Sequence, residues 1–219
     1  MDEKSDYLLV VEDIPNILEL IDTALKFKGG YRVVTARNGE EALDIIRQER
    51  PSIVITDILM PKMDGFSFVH RLRQNSETSG IPVIFLSATY VAPEDKIFAT
   101  LIGATRFLEK PIDIDQLIRT ITELLTQKTP TVSEPINEFE FYEGYRKRLK
   151  IKLEQKNKQI FRIERLLPTI SEEEKKTFTS SLVADINERD ELQLHLDQVN
   201  ERIESNIDAG DKLSDVEKR

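Results

Sequence analysis

The chain contains no cysteine. This excludes disulfides, thiolate metal centres and cysteine nucleophiles. A cysteine-free chain fits a reducing compartment, so a cytoplasmic location is expected. No apolar run approaches the roughly 20 residues of a membrane span. The opening segment, MDEKSDYLLVVED, flanks its short apolar run with acids and does not read as a signal peptide. No membrane partner is expected. A positive excess is also lacking: 31 Lys and Arg stand against 40 Asp and Glu, a net charge of −9. The chain as a whole therefore has no general attraction to nucleic acid. Hydrophobic residues make up 39% of the 219 and charged residues 32%. That is enough for a core in one or two domains, with a charge excess that suggests long solvated helix.

The first 130 residues alternate short apolar runs with amphipathic segments. Runs at 7–11, 32–36, 53–56, 82–86 and 105–108 read as strands. LLVV, IVIT and VIFL are continuous and apolar, as strands of a parallel sheet buried on both faces should be. Helical patterns lie between them, at about 14–28, 39–48, 66–74, 94–102 and 113–126. Gly29-Gly30 is a helix stop; Asn38-Gly39 and Ser79-Gly80 are turns. Five βα units predict an α/β fold, a doubly wound five-stranded parallel sheet of flavodoxin-like kind. Ligands of such sheets bind at the carboxyl ends of the strands.

Three acids stand at those ends. Glu12 and Asp13 follow LLVV, and Asp57 follows IVIT. Neighbouring parallel strands end on one edge, so the three carboxylates should converge and repel unless a cation joins them. Carboxylate oxygens of this kind suit Mg²⁺. Ser87 follows VIFL, and Lys110 follows RFLE just before Pro111. A hydroxyl, an ammonium and Mg²⁺ around one carboxylate make a phosphoryl-accepting site with Asp57 as nucleophile. Taken singly, a strand-end Glu-Asp is more often a helix cap.

The segments VEDIPN, TDILMPKMDG, VIFLSA and FLEKP occur in that order. With them, residues 6–126 resemble a response-regulator receiver domain of two-component signalling. The resemblance implies that Asp57 is the phosphoacceptor, and that Glu12 and Asp13 are the acidic Mg²⁺ pair. It makes the backbone carbonyl of Leu59 a further metal ligand. Ser87 becomes the switch hydroxyl, Lys110 the phosphate-binding lysine and Phe107 the switch aromatic. It also implies a cis Lys110–Pro111 peptide, and it accounts for small Ala88, where bulk would block the phosphoryl group. The phosphoryl donor is expected to be a histidine kinase, a phosphotransfer protein or a small acyl phosphate. Turnover of a separate substrate is not expected, since the chemistry is confined to Asp57.

The receiver is expected over 1–128 and a linker over 129–135, where TQKTPTVSEP carries two prolines. An all-α two-helix hairpin or coiled coil is expected over 136–208. Tyr142, Leu149 and Ile163 alternate with Leu153, Ile160 and Leu167, interrupted by Arg146 and Lys156, in a heptad-like stripe. After Leu167-Pro168, Ser171 and Glu174 form a capping box. A second stripe runs Phe178, Leu182, Ile186, Leu192, Leu196, Val199, Ile203 and Ile207. The helices are expected to hold about 30 and 37 residues, about 45 and 55 Å long, with a flexible tail over 209–219. His70 is expected to be solvated or half-buried. His195 lacks the surroundings of a phosphotransfer histidine.

From 146 to 165 there are nine Lys and Arg against two Asp and Glu, a net of +7; from 172 to 208 the net is −7. Opposite charges across a short turn favour an antiparallel pair. Because a lone hairpin buries little, the expected output is a homodimer through these helices that docks an unidentified downstream protein. The alternative is a transcription regulator whose basic helix 146–165 contacts DNA.

Overall fold

The computed structural model describes residues 7–126 and 136–217. It divides into two compact units, Met1–Ile136 and Asn137–Arg219. The first unit alternates strands and helices: β1 (Tyr7–Val11), α1 (Pro15–Phe27), β2 (Arg32–Ala36), α2 (Gly39–Gln48), β3 (Ile53–Asp57), α3 (Gly65–Gln74), β4 (Val83–Ser87), α4 (Pro93–Leu101), β5 (Arg106–Glu109) and α5 (Ile114–Thr126). The five strands form one parallel sheet in the order β2-β1-β3-β4-β5. This is the expected doubly wound fold. The order reverses at β1, so the crevice beyond β1 and β3 is where such a sheet takes its ligand.

β1, β3 and β4 are buried along their whole length, which is why their sequences are unbroken apolar runs. Edge strands β2 and β5 mix buried or half-buried positions with exposed ones. β3 runs one residue past the expected end, and β4 and β5 begin one residue late and finish one later. The ladder pairs Asp57 with Leu86 and Ser87 with Glu109, which carries the sheet to the chemical edge. On one face, Leu8, Val10, Ile53, Ile55 and Ile84 pack with Ile21 and Leu25 of α1 and Leu117, Ile121 and Leu124 of α5. On the other, Phe66 meets the edges of Phe85, Tyr90 and Phe98 at 5.1–5.4 Å between ring centres. Each such side chain contributes about 1.5–3 kcal/mol on burial.

Helix starts follow local chemistry. The Asn38 side chain accepts from the N–H groups of Glu40 and Glu41, both at 3.1 Å. Asp64 accepts from the Ser67 N–H at 2.9 Å, opening α3 beside the site. After α1 the chain turns at Gly30, whose φ of +69° glycine adopts without a Cβ penalty.

The second unit is the expected hairpin: α6 (Glu138–Leu166), a 3₁₀ turn (Leu167–Thr169) and α7 (Glu172–Glu217). Ser171 and Glu174 bond reciprocally as a capping box. Lys156 Nζ bonds Asp185 Oδ1 at 3.0 Å and Glu188 Oε2 at 2.7 Å, and Gln159 Nε2 bonds Asp185 Oδ2 at 2.9 Å. Stepping forward on α6 does not advance the partner on α7, so the helices are antiparallel.

Two expectations for this unit are corrected. α7 runs past the expected helix end at 208, to Glu217. The buried face of α6 is Phe141, Tyr145, Leu149, Lys152 and Ile160, while Tyr142, Leu153, Ile163 and Leu167 are only half-buried. The stripe is shifted because Lys152 and Lys156 lie along it, the Lys156 ammonium reaching acids of α7. His195 is buried beside Leu192 and Leu196. In the first unit His70 is also buried rather than solvated, with Nε2 3.0 Å from Gln74 Nε2. Burial, and then the charge of Arg71, lower the His70 pKa to about 4. The expected linker at 129–135 lies outside the described residues.

Candidate functional site

β1 and β3 are neighbours, with Val11 level with Thr56. The next residues, Glu12 and Asp13 on one strand and Asp57 on the other, therefore meet at the sheet edge. One carboxylate oxygen from each lies within 4.8 Å of the others. Glu12 is held by its own backbone, whose N–H donates to Ala36 O at 3.1 Å, and its Oε1 accepts from the Ile14 N–H. Asp57 is fixed by its place in β3 and by the start of α3. A Cβ on Gly65 would lie 2.1 Å from the Asp57 carbonyl oxygen. Only glycine lets the helix begin so close to the strand end.

Lys110 enters from the end of β5. Its N–H donates to Ser87 O at 2.9 Å, and the Lys110–Pro111 peptide is cis. Its Nζ lies 2.7 Å from Glu12 Oε2 and 3.3 Å from Asp57 Oδ1. Three carboxylates thus face one ammonium in a site where Glu12 is fully buried and Asp57 is 7% exposed. Burial raises the Asp57 pKa to about 7; Lys110 pulls against this and the Glu12 charge adds to it. Burial also raises Glu12, partly offset by Lys110, and it raises Asp13. For Lys110 burial opposes the charge, but Asp57 and Glu12 outweigh it and hold the pKa above its ordinary value.

The residues fit a divalent cation. Asp13 Oδ1 is buried and has no hydrogen-bond partner among the described residues. The donors are hard carboxylate oxygens carrying more negative charge than Lys110 neutralises. That combination suits Mg²⁺.

The remaining expected residues lie around this cluster. Ser87 closes β4, one residue past the position paired with Asp57, and its Oγ accepts from the N–H groups of Thr89 and Tyr90 at 3.2 and 3.1 Å. Leu59 lies in the loop two residues beyond Asp57 and is half-buried. Phe107 is in β5 level with Phe85, away from the acids, and is half-buried. Lys96 Nζ stands 5.8 Å from the centre of the Phe107 ring, and the same ammonium pairs with Glu109. The structure therefore brings Glu12, Asp13, Asp57 and Lys110 into one cluster, with Ser87 at its rim and Phe107 apart.

Sequence reasoning missed two supporting residues. Gly65 was legible only as part of an Asp-Gly pair, with no sign that its missing Cβ sets the position of Asp57. Arg73 gave no signal, yet it is buried and its Nε and NH2 donate to Gly103 O at 3.2 and 2.7 Å. It fastens α3 to the turn before β5, where Gly103 has φ +105°. Burial lowers its pKa to about 10.

A parallel sheet in this order, with acids and a lysine at its carboxyl edge, defines a receiver-type α/β domain. The family model of the response regulator receiver domain matches residues 8–122, and the chain belongs to that family. It is 36% identical over 121 residues to response regulator Rre1 of Synechocystis, covering 55% of this chain and 52% of Rre1. It is 37% identical over 134 residues to the transcriptional regulatory protein GlrR of Escherichia coli, covering 61% of this chain and 29% of GlrR. Among solved structures, Vibrio cholerae chemotaxis protein CheY4 aligns with TM-score 0.51 and 34% identity, covering 54% of this chain and 98% of CheY4. The chain thus spans about half of Rre1 and under a third of GlrR. No helix among the described residues is long and apolar enough to cross a membrane.

Proposed function

We propose that the protein is a cytoplasmic phosphorelay switch in which Asp57 takes a phosphoryl group from a histidine kinase or phosphotransfer protein. The observation that carries this reading is the convergence of Glu12, Asp13, Asp57 and Lys110 at the β1–β3 crevice. An Asp57 carboxylate oxygen attacks phosphorus, an acyl–phosphate bond forms, and the bond from phosphorus to the donor nitrogen or oxygen breaks. Lys110, already 3.3 Å from Asp57, pairs with a phosphoryl oxygen. Glu12, Asp13, Asp57 and the Leu59 carbonyl would hold Mg²⁺, which when bound would offset phosphoryl charge. Ser87 donates its hydroxyl to the new group, and Phe107 changes its packing in response, shifting a population already present. The only chemistry is on the protein itself.

The helical hairpin is the output, a self-associating module that docks a downstream protein. A second reading has the exposed Lys147, Lys150, Lys158, Arg162 and Arg165 of α6 contacting DNA. Tight binding of duplex DNA that falls steeply with salt would favour that reading. The site itself is tested with beryllofluoride, a phosphoryl mimic. With Mg²⁺ it should raise the thermal midpoint of the wild type by several degrees and leave Asp57→Asn unmoved. Equal shifts in the two proteins would overturn the assignment of Asp57.

A further inference from the structure

The stripes that first suggested dimerisation are spent within the chain. Leu192, Leu196, Val199 and Ile203 are buried, as are Phe141, Tyr145 and Leu149. A partner must therefore use a different surface, and the two flanks of the hairpin differ. Successive residues of a helix are turned by about 100°. Relative to the inner stripe, Leu153, Asn157 and Phe161 of α6 fall on one flank. In an antiparallel pair, Leu182 and Ile186 of α7 fall on that same flank. The Lys156–Asp185 and Gln159–Asp185 bonds set these residues level along the hairpin. Phe161 is 58% exposed, and Leu153, Leu182 and Ile186 are half-buried. Lys150, Leu153, Glu154, Asn157, Lys158 and Phe161 line an open groove of about 430 Å³ here. The opposite flank is the more polar, with Arg148, Gln155 and Arg162 on α6 and Glu191 on α7, beside exposed Ile151 and Leu166.

Charge identifies the occupant. A basic partner would match only α7, and an acidic partner only α6. A second copy presents both signs, +7 over 146–165 and −7 over 172–208. Two copies can meet through this flank about two kinds of twofold axis. An axis across the helices sets α6 against α6 and α7 against α7, placing like charges side by side. An axis parallel to the helices sets each α6 against the other copy's α7, so all four edges of the bundle join opposite charges.

We infer that a second copy of the chain docks on the Leu153–Phe161 and Leu182–Ile186 flank, in a four-helix bundle whose twofold axis runs parallel to the helices. This rests on the reading of the hairpin as a self-associating module. It places both turns at one end of the bundle. Lys150 then faces the other copy's α7, and Phe161 is covered.

The test uses the full chain, whose lack of cysteine allows one label at a chosen point. A spin label is attached to Thr169→Cys in the turn. In the dimer the two labels should lie within about 20 Å of each other, since neighbouring helix axes in a bundle are about 8–10 Å apart. Labels roughly 35 Å apart would show the crossed arrangement and overturn this inference while leaving self-association standing; the separation follows from the rise of 1.5 Å per residue. A monomer at every concentration would overturn both. Independently, Phe161→Ser should weaken the dimer at least tenfold with helix content unchanged, because Phe161 is not needed to close the hairpin. Arg162→Ser, on the other flank, should leave the dimer unaltered. No effect of Phe161→Ser, or an equal effect of Arg162→Ser, would contradict the assigned surface.

Discussion

In the proposed reaction Asp57 must be ionised to attack phosphorus, yet burial raises its pKa to about 7. The same burial makes a cation the natural completion of the site. An acid with a raised folded-state pKa is ionised only at a cost, and the cost grows as pH climbs from the ordinary carboxylate range towards 7. A metal that binds the carboxylates removes that cost, but below about pH 7 it must first displace the Asp57 proton. At one subsaturating Mg²⁺ concentration, the rise in thermal midpoint should be clearly larger at pH 8 than at pH 6. An equal rise at both, or a larger one at pH 6, would contradict this charge assignment. Asp57→Asn removes the penalised charge and should stabilise the metal-free protein at pH 8. At residue scale the sequence was most legible here, because all the acids and the lysine end apolar strand runs. Gly65 and Arg73 were not, since each acts through backbone from an element distant in sequence.

At the scale of elements, legibility followed burial on both faces. β1, β3 and β4 announce themselves as apolar runs because they are buried along their whole length. α6 hid its inner face because Lys152 and Lys156 lie on it, and the acids facing Lys156 belong to α7. Asp185 likewise read as a gap in the second stripe. Burial opposes the Lys156 charge, but Glu188 and Asp185 outweigh it and raise the pKa. Lys156→Met should leave Asp185 buried without its ammonium. It should destabilise the hairpin by about 1–3 kcal/mol, discounted because Glu188 reaches solvent. Adding Asp185→Leu should restore most of the loss, because an apolar pair replaces a buried ionic one. Hydrogen exchange of the α6 amides reads both effects. A double variant less protected than Lys156→Met would show that the pair does more than satisfy itself.

Across the whole molecule, a switch at Asp57 has to alter a surface that other molecules meet. α4, β5 and α5 span 93–126, and they carry the half-buried Phe107 and the Lys96–Glu109 pair. With Mg²⁺ and beryllofluoride, hydrogen exchange should change most in this segment and least in β1. A change confined to the carboxyl edge would mean that the output leaves by another face. The expectation of two units was legible from composition alone, as apolar runs gave way to charge-rich helical stripes. The phase of the stripe was not, because it depends on a partner helix. The central claim is that Asp57 carries the phosphoryl group. After reaction with acetyl phosphate and Mg²⁺, borohydride reduces an aspartyl phosphate to homoserine, which peptide mass mapping locates. Homoserine at position 57, absent when Mg²⁺ is withheld, is the predicted result. Homoserine at position 13 or elsewhere, or none at any position, would contradict the account.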